Sequence, residues 1–387
     1  MQRIESLNQQ LISNLNSYPF FQSGFLDVLA QHGCINGNTG WDQHYLLTNQ
    51  GITLPSFVKY HSYGEYVFDW SWAEAYQNHG LDYYPKLIIA APFTPATGPR
   101  LFPQKNNPPL SGTDNLKPLD GQKISSEIQH YVKEQQLSGA HILFLTPQEH
   151  ALLKEHNWHT RYGVQFHWFN HNYQHFDDFL SRFKSRKRKM VLKERQLIEQ
   201  NKINIKKISG ENIDDDLWEF FYQCYQSTYA KRGMQGYINL PAFKAFGESL
   251  KQQLLMIVAY NEQGQPLACA LYFYDDKNLY GRYWGTLYDM PFLHFELCYY
   301  QGIEFCIEKG LNHFDPGTQG EHKIARGFEP IFTQSLHFLE HEGFHDAVGN
   351  FVKEEFKALK TYKQECYEQL PFNQQFMPEP RDFIFEA

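Results

Sequence analysis

The tightest constraint on this chain comes from residues 279–315. Residues 279–285 form an apolar, ring-rich run of strand length. Residues 293–309 carry apolar side chains at helical spacing, and Gly310 follows as a cap. Residues 311–315 return as a short strand. Strand, helix and strand in that order predict a parallel pair joined by a crossover helix. The loop that follows holds Asp315, Gln319, Glu321, His322, Lys323 and Arg326, with Gly317, Gly320 and Gly327 between them. Glycine opens turns other residues resist, and a polar loop at the carboxyl end of a strand is where ligands commonly bind. A solvated loop of surface ion pairs is the alternative reading.

With 387 residues the chain is long enough for two domains, and 42% hydrophobic residues supply two cores. The 25 Tyr and 32 Phe offer an unusual number of rings for cores and pockets. A net charge of -8 excludes a general polyanion binder, so any nucleic-acid contact must come from a local patch. The six cysteines contain no CxxC pair and resemble the reduced thiols of a cytoplasmic protein. No secretory leader pattern is visible. The longest apolar runs, residues 87–92 and 254–260, are far too short to cross a membrane, so a soluble, cytoplasmic protein without membrane insertion is expected.

The first half alternates α and β: a helix at 25–31, strands at 45–48 and 54–61, a helix at 70–78 and a buried strand at 86–92. A long loop at 93–121, a candidate functional segment, leads to a helix at 124–135, a strand at 140–146, a helix at 148–156 and a half-buried strand at 164–168. Residues 176–200 predict one long or broken helix carrying the strongest basic run. The domain junction is placed there, dividing the chain into 1–182 and 183–387. The second half continues with a strand at 203–208 and helices at 217–231 and 241–252. Strands at 254–260 and 267–274 are joined by the hairpin turn Asn261-Glu262-Gln263-Gly264. Each half sets meandering strands before a crossover helix. That repetition suggests a duplication and two separate mixed sheets.

Several blocks carry a family resemblance. They are Lys59-Tyr60-His61-Ser62-Tyr63-Gly64-Glu65-Tyr66-Val67-Phe68-Asp69-Trp70, Tyr83-Tyr84-Pro85-Lys86-Leu87 running to Pro92-Phe93-Thr94-Pro95, the basic stretch 185–195, Tyr280-Gly281-Arg282-Tyr283-Trp284-Gly285, and residues 293–328. Together they resemble the bacterial Fem-like proteins of the GNAT superfamily, in the branch labelled peptidoglycan biosynthesis or recognition. The resemblance implies an α/β fold of mixed sheets with tandem GNAT-like domains, and transfer of an acyl or aminoacyl group to an amine. The donor would be aminoacyl-tRNA, as in Fem transferases, or acyl-CoA, as in ordinary GNAT enzymes, with no tightly bound cofactor. The acceptor would be an amine-bearing small molecule, peptide or cell-wall precursor. The lysine tied to transfer in Fem relatives matches Lys323, four residues before Gly327-Phe328. The chain departs from the acetyl-CoA pattern at Tyr288-Asp289-Met290-Pro291-Phe292-Leu293, where the glycine-rich pyrophosphate turn is missing and an acid stands in its place. This favours tRNA as donor.

Acyl transfer needs a base for the attacking amine and a cation or N–H for the oxyanion. Glu321 or His322 could supply the first and Lys323 the second. Arg282 and Trp284 suit a planar or anionic ligand, and strand alternation sets Tyr283 on the opposite face; strand aromatics are equally common in cores. Glu296, Tyr300 and Glu304 share one stripe of the crossover helix and could line a pocket, with Gln319 and Arg326 from the loop. In the first half, His61 and Glu65 belong to a recognition pocket or a satisfied core network. Ser62 lacks the Gly-x-Ser-x-Gly elbow of a hydrolase. Arg186, Lys187 and Arg188 are either a solvated helix face or a contact for tRNA. No metal-binding spacing is present among the 18 histidines.

Overall fold

The computed structural model describes residues 1–5, 18–104, 119–318 and 320–384. Its frame is an eleven-stranded mixed sheet. In chain order the strands are β1 (Trp41–Gln43), β2 (Ser56–Lys59), β3 (Lys86–Ile89), β4 (Gly139–Leu143), β5 (His159–Phe169), β6 (Asn204–Ser209), β7 (Leu254–Tyr260), β8 (Pro266–Tyr274), β9 (Asn278–Thr286), β10 (His313–Asp315) and β11 (Glu329–Leu339). Across the sheet they lie in the order β6-β7-β8-β9-β10-β5-β11-β4-β3-β2-β1. Four short strands, Gln2–Arg3, Leu46–Leu47, Ile52–Leu54 and Phe102–Pro103, make a small second sheet.

The parallel pair expected in the second half is β9 with β10, and the first half has its counterpart in β3 with β4. Helix α3 (Gly121–Glu134) crosses over the first pair, and the helix spanning 293–309, here α9, crosses over the second. The remaining helices are α1 (Ser23–Gln31), α2 (Trp70–Asn78), α4 (Pro147–Leu153), α5 (Phe176–Ser181), α6 (Ser185–Gln200), α7 (Asp215–Ala230), α8 (Leu240–Ser249) and α10 (Glu342–Glu368). The expected helix at 176–200 is thus broken between α5 and α6. The break falls where Phe183 turns into the core and bridges Phe372, and where the Lys184 N–H donates to the Pro371 carbonyl. The expected strand at 54–61 is also divided, its first residue in the small sheet and Ser56–Lys59 in the large one.

The halves do not keep separate sheets. β5, from the first half, pairs with β10 of the second, while β11, from the second, pairs with β4 of the first. β5 and β11 then pair with each other over nine residues, from Glu329↔His167 to His337↔His159. Read inward from either edge, the order is therefore the same: a meander, a parallel pair, then a strand supplied by the other half. β11 is buried on both faces for most of its length, so it cannot stand at a sheet edge facing water. Helix α10 lies over β5 and β11, and Arg161 on β5 forms a two-pronged bond with Glu355 on α10 at 2.9 and 2.8 Å.

The N-terminal helix also crosses over. Phe20 and Phe25 pack against Phe273 and Phe246 of the second half, with the Phe25 and Phe246 rings stacked at 5.1 Å. No helix among the described residues is long and apolar enough to cross a membrane. Of the loop expected at 93–121, residues 105–118 lie outside the described segments.

One close approach sets the geometry around the site. Gly285 on β9 faces α7, and a Cβ there would lie 2.0 Å from the Cys224 carbonyl oxygen. Backbone cannot yield as a side chain can, so Gly285→Ala must push α7 off the sheet. The expected loss of about 1–3 kcal/mol or more is read as a lower urea midpoint. An unchanged midpoint would mean that the helix is not held this close.

Candidate functional site

The loop after β10 is shaped by Asp315, which is fully buried. One carboxylate oxygen accepts the Gly317 N–H at 2.8 Å, and the other accepts Arg282 Nη2 of β9 at 3.0 Å. The chain then turns through Gly320 (φ 111°) into a single 3-10 turn, Glu321–Arg326, closed by Gly327 (φ 84°). Lys323 is buried beneath it, and its Nζ donates to the Gly317 carbonyl at 2.5 Å. Burial strips water from this ammonium and brings its pKa down to about 7; the Asp315 carboxylate opposes that shift and the Arg282 guanidinium adds to it. Lys323 is therefore present in both charge states near neutral pH.

Its neighbours in sequence point elsewhere. His322 Nε2 meets the Tyr299 hydroxyl at 2.8 Å, and burial together with Lys323 and Arg326 lowers the ring to about 4, so it is neutral. Glu321 is exposed and accepts the Tyr362 hydroxyl of α10 at 2.8 Å. A 3-10 turn advances about 120° per residue, so three successive side chains leave in three directions. Arg326 has all three guanidinium nitrogens occupied: by Glu194 at 2.5 Å, the Tyr300 hydroxyl at 2.9 Å and the His322 carbonyl at 2.7 Å. Tyr300 in turn donates to Glu194. These contacts clamp the loop between α6 and α9.

The clamp works through an irregularity in α9, whose segment Glu296–Tyr300 is a π turn. Such bulges are common at functional positions. Glu296 and Glu304 do share a face, since Arg195 bridges both at 3.0 and 2.6 Å, with Lys207 at 3.8 Å from Glu304. That face is covered by α6, and Glu296, Tyr300 and Glu304 do not line the cleft between the halves. Gln319 lies outside the described residues.

A cleft of about 400 Å³ opens between the halves. Arg282, Tyr283, Trp284 and Thr318 form one side, Ser62, Tyr63, Tyr66, Phe68 and Trp70 another, and α7 with the segment after it supplies Tyr225, Tyr229, Arg232 and Tyr237. A second cleft of about 290 Å³ shares Tyr66, Phe68 and Thr318 with it and runs along β5 and β11 past Gln165 and Gln334. Alternation should have turned Tyr283 away from Arg282 and Trp284, yet all three line the cleft. The register explains this: Leu271 pairs with Tyr283 but Tyr272 with Gly281, so Arg282 is the extra residue of a bulge that re-aims its neighbours. Of the sequence candidates, Arg282 and Trp284 face this cleft, while Lys323 sits behind it, beyond Asp315 and Gly317. The α7 tyrosines escaped notice because Tyr225 and Tyr229, four residues apart, look like an ordinary core stripe.

Ser62 connects the cleft to a buried cluster in the first half. Lys86 Nζ donates to Ser62 Oγ at 2.8 Å, to Glu65 at 2.9 Å and to Asp69. Tyr83 also donates to Asp69, at 2.6 Å, and the Tyr84 hydroxyl lies 2.9 Å from Ser62 Oγ. Burial pushes Glu65 up to about 7, against the pull of Lys86, whereas in Asp69 burial is outweighed by Lys86, His141 and Ser62 together, which hold the acid near 2. Lys59 lies over the Trp41 ring at 4.0 Å and is lowered to about 7 by burial. His61 Nε2 donates to the Thr39 carbonyl at 3.0 Å, at the edge of this cluster. His61 and Glu65 thus join a core network beside the cleft and do not line it.

On α6, Arg186 and Arg188 are exposed and Lys187 is half-buried. None of the three has a carboxylate within ion-pair distance among the described residues. The same helix supplies Glu194 and Arg195 to the loop and to α9, so its basic end adjoins the Lys323 turn.

The fold has a counterpart among solved structures. FemX aligns over 90% of this chain and all of its own length, at 10% identity and a TM-score of 0.53. L-PGS from Bacillus licheniformis aligns over 84% of this chain and 95% of its own, at 9% identity and a TM-score of 0.49. No curated protein sequence matches the chain. The likeness to FemX establishes the mixed α/β, GNAT-like fold that the resemblance implied. A family profile described as peptidoglycan biosynthesis/recognition matches residues 2–374, nearly the whole length, and the chain belongs to that FemAB-like family.

Proposed function

We propose that this protein is a cytoplasmic transferase that moves an aminoacyl or acyl group onto an amine of a small molecule, peptide or cell-wall precursor. Lys323 would be the central group, and aminoacyl-tRNA the donor in preference to acyl-CoA. In this reading residues 1–182 and 183–387 are two GNAT-like units that exchange strands. The observation that carries it is Lys323, buried behind the cleft next to the Asp315–Arg282 pair, its ammonium lowered by burial to about 7. The acceptor nitrogen would bond to the donor carbonyl carbon as the ester C–O bond breaks. A group that is half-protonated at neutral pH can take the proton leaving the amine and return it to the departing oxygen. The Arg282 guanidinium offers positive charge to the developing oxyanion. The basic end of α6, adjoining the same loop, supports a polyanionic donor.

The divergence of Glu321 and His322 from Lys323 favours a second reading, a ligand-recognition protein without catalysis. Binding and single-turnover assays separate the two. The protein should bind aminoacyl-tRNA in a salt-sensitive way and show no saturable heat with acetyl-CoA at sub-millimolar concentration. Charge reversal of Arg186, Lys187 and Arg188 to Glu should abolish tRNA affinity while leaving Tm nearly unchanged, because exposed charges contribute only about 0–1 kcal/mol each to stability. Affinity that survives with its salt dependence intact would make α6 a solvated face. Tight stoichiometric CoA binding would replace tRNA as donor.

A further inference from the structure

The geometry points to a subsite in the cleft for an oxyanion carried on a flat ring, held by Arg282 and Tyr283 at the bulge of β9. The Arg282 side chain is only 3% exposed although it lines the cleft. Asp315 occupies Nη2, whereas Nε is buried without a partner. The Tyr283 hydroxyl, on the next residue of the same bulge, is likewise buried and unpartnered. Two orphaned polar groups on consecutive residues of one bulge are costly to keep, and a hydrogen-bond acceptor entering the cleft they line would relieve that cost.

The opposite wall offers another donor. Ser62 Oγ already accepts from Lys86, a buried cation pinned by two carboxylates, which polarises the hydroxyl. No Asp or Glu lines the cleft among the described residues, while Arg232 and Arg282 both do, in a chain of net charge -8. Cations and hydroxyls without acids select an anion. The remaining surface is aromatic. Tyr63 and Trp70 stand at the cleft 47% and 41% exposed with their centroids 5.0 Å apart, and Trp284 lies on the other side. Rings left this open favour a planar body over a flexible chain. The shared chemistry is a ring-bearing carboxylate or phosphate.

This subsite shares Arg282 with the proposed transfer site, but it requires binding in the absence of any donor and so is tested without transfer. The test titrates the full chain with phenyl phosphate, benzoate and the neutral benzyl alcohol, followed by calorimetry and by the fluorescence of Trp70 and Trp284. At least one of the two anions should bind saturably and about tenfold or more tighter than the alcohol, and more weakly at high salt. The tighter of the two identifies the oxyanion. Arg282→Gln should weaken that anion by about tenfold or more, and Tyr283→Phe by a few-fold with Tm unchanged.

Arg282→Gln removes a buried ion-pair partner, so if it fails to fold, Tyr283→Phe and the salt dependence decide. Equal binding of benzyl alcohol overturns the oxyanion; equal binding of inorganic phosphate overturns the ring; no saturable binding of either anion overturns the subsite. Anion binding without transfer would sink the transferase reading alone, and transfer without anion binding would sink this subsite alone.

Discussion

Lys323→Met should abolish most transfer and at the same time make the protein more stable. If Lys323 carries the proton between amine and leaving oxygen, its loss removes the roughly hundred- to ten-thousand-fold typical of a general acid–base group, about 3–5 kcal/mol, with acceptor affinity little changed. The stability change has the opposite sign. The folded pKa is about 7, whereas an unfolded lysine titrates near the ordinary value of 10.5. At pH 7 the unfolded chain therefore binds more protons. Burial of the ammonium costs stability that is recovered only as pH rises from 7 toward 10.5.

Three to four pKa units correspond to about 4–5 kcal/mol, from which the unpaired Gly317 carbonyl left by Met subtracts about 1–3 kcal/mol. A gain of about 1–4 kcal/mol remains, visible as a higher urea midpoint. Lys323→Arg should restore little turnover, because the guanidinium fork places its donors differently from a compact ammonium. Turnover is measured with the donor that the tRNA and CoA titrations select. Folded Lys323→Met with wild-type turnover would move the transfer site elsewhere. A lower midpoint would make Lys323 a structural tie to Gly317.

That a buried, unpaired lysine survives at this position is one of the few features the sequence alone could not disclose, although the residue itself stood out. The crossover helix and its parallel strands were legible because they rest on local spacing: apolar residues at helical intervals, a glycine cap, a short strand. What escaped were properties set by distant pairing or by a single irregular residue. Nothing local in residues 329–339 announces that this strand will lie between β4 and β5, since its partners are close to two hundred residues away. The bulge at Arg282 depends on the register of β8, and it decides which side chains see the cleft. The 3-10 turn at Glu321–Arg326 separates three residues that a list of types had grouped together. Ser62 lacks the Gly-x-Ser-x-Gly elbow of a hydrolase, and nothing local marks its place in the buried cluster. Its contact with Lys86, 24 residues later, is a product of β2 and β3 lying side by side.

Acid should undo the two seams where the exchanged strands join, and this is the largest effect of solution conditions to be expected. At the first seam, His167 of β5 and His313 of β10 share a hydrogen bond of 2.7 Å, beside a ladder of only two residue pairs. At the second, His141 of β4 and His337 of β11 are direct partners in register, with their Nδ1 atoms 2.8 Å apart. In each pair one ring must offer a lone pair to the other, so protonating both sets N–H against N–H. Burial lowers all four rings, His141 to about 3 and the other three well below the ordinary value of 6.5. Lys323 and Arg282 add to the effect at His167, Arg381 at His313, and Lys86 at His141 and His337; Asp315 and Asp69 oppose it.

A histidine whose folded pKa is depressed leaves stability intact above 6.5. Below that pH the unfolded chain takes up protons that the folded chain refuses. Each such ring costs stability that grows as the pH falls further below 6.5. Glu65 works against this, because its folded pKa of about 7 lies above the unfolded value and returns about 3 kcal/mol over the same range. Four refusing rings outnumber the one compensating acid, so the balance is a net loss between pH 7 and 4.5. Urea midpoints across that interval should fall steeply. His313→Gln and His337→Gln should each start lower at pH 7 and then follow a shallower slope, since each removes one refusing ring. A midpoint that stays level down to pH 5 in the wild type would show that these imidazoles titrate freely, and that the seams are held by the β5–β11 ladder alone.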